Sequence, residues 1–162
     1  MKDSSFMLIY IGDGRDVIKR IRKSHLTGNV EASSLRKHLA VKMGFGISVS
    51  KRLSGSQRIR IALPEPKEGE HSISEYLANG WWQYVICDSY EEANAFQWYA
   101  IEKLKPQLNK DRRSWDVSQL SKFEILLNKL QNSQCYRFDE LVSLSSGAGV
   151  YAFHHHQCPI LS

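Results

Sequence analysis

The chain has 162 residues, 42% apolar and 24% charged, a composition that suits one folded domain with a core of its own. Its net charge of +5 favours an anionic partner, nucleic acid foremost. There is no secretory leader pattern and no apolar run of membrane-spanning length, and three cysteines without CxxC spacing argue against a disulfide framework or a structural zinc site. Residues 1–162 read as a single domain, and the cysteine usage fits a reducing cytoplasm.

Residues 1–6 read as a frayed start, and Met7–Ile11 as a short buried strand ending at the glycine-containing loop Gly12-Asp13-Gly14. A basic helix over Asp16–His25 follows, with Asp16 as N-cap and Lys19, Arg20, Arg22 and Lys23 on its surface. Strand, tight turn and cations beside exposed N–H groups make a natural phosphate cradle. Ser33 or Ser34 caps the next helix, which runs to about Met43. Residues 47–69 are polar and basic, then rich in Pro and Glu. Gln57–Ile61 alternates like a short strand, and Leu63–Gly69 reads as a loop. A short helix over Ser72–Leu77 precedes Trp81–Asp88, whose aromatic and β-branched residues read as a central strand.

Helix Ser89–Lys105 carries Ala93, Phe96, Ala100 and Leu104 as an apolar stripe and stops before Pro106. A basic turn, Asn109–Arg113, leads to a helix over Val117–Gln131. Phe138–Leu144 reads as a short helix, Gly149–Phe153 as a strand, and His154–His156 as a solvated loop. The expected architecture is α/β: a small, mainly antiparallel sheet flanked by helices.

Tyr10-Ile11-Gly12 resembles the second half of the signature of the GIY-YIG nuclease family, and Arg20 follows Tyr10 at that family's spacing. Gln97, then Pro106-Gln107-Leu108-Asn109, resembles the family's glutamate helix and its Pro-x-x-Asn segment. Ser33-Ser34-Leu35-Arg36 resembles the region after the arginine helix in restriction-type members. The first half of the signature sits at the other end of the chain, as Gly149-Val150-Tyr151. The chain therefore resembles a GIY-YIG domain circularly permuted within its first hairpin, whether naturally, by engineering or through a swapped strand.

Two positions depart from the family pattern. Gln97 stands where the family has a metal-binding glutamate, and a neutral amide is a poor ligand for a hard divalent cation. Ser24 stands where a histidine often lies four residues after the arginine, with His25 one step further on.

The resemblance implies a metal-dependent DNA endonuclease using Mg²⁺ or another divalent ion, disabled here by Gln97. It implies that Tyr10 and Tyr151 face the scissile phosphate, with Tyr151 helping to take a proton from the attacking water. Arg20, Lys23 and His25 would lower the phenol pKa. Arg20 would stabilise phosphate charge, Gln97 would mark the metal position, and Asn109 would orient backbone or phosphate. Lys19, Lys23, Arg36, Lys37, Arg58 and Arg60 are candidate DNA contacts, and double-strand cutting would call for a homodimer or two sequential events.

Each residue also has a plainer reading. Tyr10 and Tyr151 fit ordinary strand tyrosines, Arg20 a solvated helix charge, Gln97 a half-buried polar residue and Asn109 a turn residue. Trp81 and Trp82 fit core and sheet face rather than a stacking platform. Two rival functions stay open: a DNA-binding module without catalysis, and a basic protein-interaction domain.

Overall fold

The computed structural model describes residues 6–109 and 113–156; the first five residues, the middle of the basic turn and Cys158 fall outside them. The main sheet has three antiparallel strands, in the order β1 (Met7–Gly14), β5 (Gly149–His155), β4 (Trp81–Ile86). The architecture is α/β, with helices on both faces. The Trp81 segment is thus an outer strand, not the central one. The centre goes to β5, because a middle strand must be buried on both faces and every residue from Gly149 to His155 is. His154 and His155 accordingly lie in the strand rather than in a solvated loop, and the His155 ring stacks on Tyr76 at 3.9 Å.

The helices start where local chemistry allows. Asp16 accepts a hydrogen bond from the Lys19 N–H at 2.9 Å and starts α1, which is α-helical over Val17–Lys19 and π-helical over Arg20–Leu26. Ser33 caps α2 (Ser34–Lys42), and Ser89 caps α4 (Tyr90–Leu104). Between α2 and α4 the Pro/Glu-rich stretch departs from expectation. Pro66 opens α3 (Pro66–Ala78), since a first-turn proline loses no needed N–H and has its φ already set. Gly46–Lys51 (β2) pairs with Gln57–Ala62 (β3) as a separate two-stranded sheet. Helix α5 spans Leu120–Asn132. No described helix is long and apolar enough to cross a membrane.

Two apolar clusters sandwich the sheet. One joins Ile9, Trp82 and Phe153 to α1, α2 and α3 through Ile21, Leu39 and Ile73. The other joins Ile11, Val85 and Val150 to Phe96 of α4 and Phe123 of α5.

The register of β1 on β5 sets Gly12 opposite Tyr151 and Met7 opposite His155. The Tyr151 ring lies across Gly12: a Cβ there would meet its Cζ at 2.5 Å and Cε1 of Tyr10 at 2.9 Å. A Cβ on Gly149 would meet the Val85 carbonyl oxygen at 2.1 Å. Both glycines are therefore fixed by close approach. Gly12→Ala should cost about 1–3 kcal/mol by overpacking, lowering Tm by several degrees in thermal denaturation. An unchanged Tm would mean that the ring moves aside freely.

Candidate active site

The outer edge of β1 does not face solvent alone. The segment after Pro106 runs along it, with the Gln107 N–H on the Leu8 carbonyl at 3.3 Å and the Leu108 N–H on the Ile9 carbonyl at 2.9 Å. The Asn109 side chain completes the run. Its Oδ1 accepts from the Ile11 N–H at 2.8 Å and its Nδ2 donates to the Ile11 carbonyl at 2.9 Å. Asn109 thus does for Ile11 what a neighbouring strand would do.

On the next element, the π-helical turn changes which residues share a face. In it the Thr27 N–H bonds the Arg22 carbonyl, five residues back, at 3.2 Å. Such a turn holds about one residue more than an α-turn. The fifth residue after Arg20 therefore takes the place that the fourth takes in an α-helix. That residue is His25. Arg20 itself stays half-exposed, with Nη1 donating to the Ser24 hydroxyl at 3.3 Å.

His25 is fully buried. Its Nδ1 lies 2.7 Å from the Ser33 hydroxyl, and its Nε2 is hydrogen-bonded to the Tyr151 hydroxyl. Burial, then the nearby Arg20 and Arg36 guanidinium groups, lower its pKa to about 3. Tyr151 is 1% exposed. Burial and the neighbouring Tyr10 push its phenol pKa well above the ordinary value, while Arg20 opposes them and loses. The expectation of a lowered phenol pKa is therefore reversed: desolvation outweighs the cation. Tyr151 also does not stand on the cleft surface; it lies behind it.

The cleft itself encloses about 260 Å³ around the edge of β1. Tyr10, Arg20, Gln97 and Asn109 line it, joined by Asp13, Ser34, His38, Trp98 and Arg113. Helix α4 turns one face towards it. Asn94, Gln97 and Trp98 follow at spacings of three and four residues, and Asn94 Nδ2 donates to Asp13 Oδ2 at 2.9 Å. Gln97 is buried. Two carboxylates of α4 are tied elsewhere: Glu92 to Lys122 and the Asp88 N–H, Glu102 to the Trp115 indole.

Among the described residues, no group of three or more His, Cys, Asp or Glu side chains converges. Asp13 supplies the one carboxylate among the described cleft-lining residues, beside the Gln97 amide oxygen and the side chains of Tyr10, Ser34, His38 and Asn109. One carboxylate with water and substrate phosphate completing the shell is how Mg²⁺ is commonly held, so the set fits such an ion weakly. A similar volume between the sheet, α4 and α5, lined by Phe6, Leu8, Leu104 and Leu130, contains none of the motif residues.

Residues 1–137 match the model of the GIY-YIG catalytic domain. The chain belongs to the GIY-YIG family. That places it in a class of hydrolases whose members are nucleases acting on DNA, generally with divalent metals. No curated protein and no solved structure gives a significant match. The GIY-YIG match ends before β5, although β5 carries Gly149-Val150-Tyr151 and occupies the middle of the sheet.

Of the basic residues expected on this GIY-YIG domain's DNA face, Lys19 and Lys23 are exposed on α1, and Arg60 is exposed on β3. Lys37 and Arg58 are partly covered and reach Glu31 at 3.7 and 3.6 Å. Arg36 is a correction: it is 0% exposed. Its Nη1 donates to the His25 carbonyl at 2.6 Å and to Ser74 at 3.0 Å, and its Nη2 pairs with the Glu70 carboxylate. Asp13, His38 and Arg113 were not singled out from the sequence. Only Asp13, directly after Tyr10-Ile11-Gly12, carries a positional hint.

The buried imidazole predicts a pH dependence. Its folded pKa, about 3, lies below the ordinary 6.5, so between those values the unfolded chain binds the extra proton. Stability from His25 is then full above 6.5 and falls by about 1.4 kcal/mol per pH unit as pH drops through that window. Urea unfolding across the acid range should show this slope, and His25→Gln should flatten it. An equally steep His25→Gln profile would assign the slope to carboxylates instead.

Proposed function

We propose that the chain is a divalent-metal-dependent DNA endonuclease hydrolysing phosphodiester bonds, with its hold on the metal weakened by Gln97. The observation that carries this reading is one cleft with Tyr10, Arg20 and Gln97 on its walls and the buried Tyr151–His25–Ser33 chain behind it. Arg20 pairs with the scissile phosphate and stabilises charge developing on it. Tyr10 is the phenol that meets substrate. Tyr151 is a positioning residue, its ring over Gly12 and its hydroxyl fixing His25. Asn109 holds Ile11, and through it the strand on which Tyr10 and Asp13 stand. A divalent cation, Mg²⁺ the first candidate, would be held by Asp13 and the Gln97 amide oxygen and would polarise the phosphate.

Lys19, Lys23, Lys37, Arg58 and Arg60 are proposed DNA contacts; Arg36 is withdrawn from that set. The chain order is read as a circular permutation. Support comes from the pairing of Met7 with His155, which brings together the strand ends that a hairpin loop would join, and from a family match that stops short of β5. Cutting both strands calls for a homodimer or two successive events, and a reducing cytoplasm suits the chain. Gln97 also favours a second reading, a DNA-binding module without catalysis on the same fold.

Supercoiled plasmid with Mg²⁺ separates the two. Gln97→Glu should raise nicking strongly above the native chain, and Arg20→Ala in that background should remove about 10²–10³ of the rate. A Gln97→Glu chain that binds plasmid but never nicks it would leave the binding module. Independently of activity, Asp13→Asn should weaken Mn²⁺ binding in calorimetric titration, and Gln97→Glu should strengthen it. Unchanged Mn²⁺ affinity in Asp13→Asn would remove Asp13 from the ion's shell.

A further inference from the structure

The β2–β3 ribbon takes no part in the catalytic sheet. Two six-residue strands pair from Gly46 opposite Ala62 to Lys51 opposite Gln57, about 20 Å in length. An isolated ribbon of this kind is marginal in water. This one also exposes Ile47 at 54%, Val49 at 61% and Leu53 at its tip at 111%. It is nevertheless held in a definite shape. Ile61 is buried in the α1–α3 core, and the Ile61 N–H reaches Glu31 at 3.3 Å. At the tip the Arg52 N–H bonds the Ser56 carbonyl at 2.8 Å, and Gly55, at φ 84, closes the turn.

Its charge is one-sided. From Gly46 to Ala62 the chain carries Lys51, Arg52, Arg58 and Arg60 and no Asp or Glu. Strand alternation sorts the side chains by face. Ser48 stands opposite Arg60, and Ser50 opposite Arg58, so two hydroxyls and two guanidinium groups share one face. The ribbon is joined to the cleft by α2, whose first residue, Ser34, lines the cleft. The nine residues of α2 span about 13 Å, the rise of roughly four base pairs of duplex.

We infer that the ribbon lies in the major groove of duplex DNA and reads base edges with Arg58, Arg60, Ser48 and Ser50. The inference rests on the DNA endonuclease reading and adds a recognition element to it. A two-stranded ribbon fits the major groove, where arginine pairs with guanine O6 and N7 and serine with either partner of a base pair. Lys51 and Arg52, at the turn, reach backbone phosphates. Charge decides against the rival occupant, a second copy of the chain. Two copies meeting through the face of Arg58 and Arg60 would set guanidinium groups against guanidinium groups, whereas a groove walled by phosphates complements them.

The test is selection from a pool of randomised duplexes, followed by affinity measurements on the enriched and on scrambled duplexes at several salt concentrations. Two exposed-face variants, Arg60→Ala and Ser48→Ala, are carried beside the native chain, with Tm as the control for folding. The native chain should enrich a sequence. Arg60→Ala should lose about ten- to a hundredfold affinity on that sequence, relax its preference at one position and bind scrambled duplex nearly as before. Three results would overturn the inference. Arg60→Ala and Ser48→Ala could both keep the same enriched sequence and affinity. Arg60→Ala could lose affinity uniformly with a shallower salt slope, which marks a phosphate contact. Sedimentation could show a dimer that Val49→Lys dissolves, which assigns the ribbon to self-association. The endonuclease reading fails separately: Gln97→Glu would stay inert on the enriched duplex while sequence selection by the ribbon persisted.

Discussion

The pairing of β1 with β5 is the contact on which the rest of the molecule depends. It joins two stretches from opposite ends of the chain and puts Gly12 beneath the Tyr151 ring. The missing Cβ lets that ring lie flat against the neighbouring strand, which in turn aims its hydroxyl at His25. From His25 the order passes to Ser33, whose Oγ also caps α2 by accepting from the Arg36 N–H at 3.2 Å. One close approach between backbone and ring thus sets the positions of β1, β5, α1 and the start of α2. On its other face the same strand pair packs on α4, and so fixes Gln97 relative to Tyr10.

Around this frame, desolvation decides the charge states. Burial lowers the His25 pKa, and the nearby Arg20 and Arg36 add to it, so the imidazole is neutral well into the acid range. For Tyr151 burial and Arg20 oppose each other, and burial wins. The buried Arg36 guanidinium is met by Glu70, Ser74 and the His25 carbonyl. A buried pair of this kind adds little net stability over an apolar replacement, yet breaking it strands a charge in the core. Its effect here is geometric: it ties α1, α2 and α3 together behind the cleft.

What could be read from the sequence was the chemistry that acts within a few residues. Asp16 and Ser33 cap their helices as expected, Pro106 follows the end of α4, and the segments carrying Tyr10 and Tyr151 are strands as read. Family membership was legible because its motifs are short and local. The departures arise where distant residues decide. Arg36 looked like one more surface cation until Glu70, on a helix far along the chain, claimed it. The π-helical turn has no local signature distinguishing it from an α-helix. Trp81–Ile86 has the composition of a central strand, but a later strand takes the centre. Asp13 carries little local signal because its place in the cleft depends on Asn94 and the edge geometry of β1.

The order of elements along the chain also has a consequence in time. Strand β5 is the last described element, yet it fills the middle of the sheet and supplies Tyr151. Contacts between such distant segments form late and slowly, because a long loop must close before they bring any gain. A nascent chain emerging from a ribosome therefore carries β1, α1 and α4 without the strand that unites them. The two halves of its cleft come together only once β5 has been made, so a copy that stops short of β5 has no assembled site.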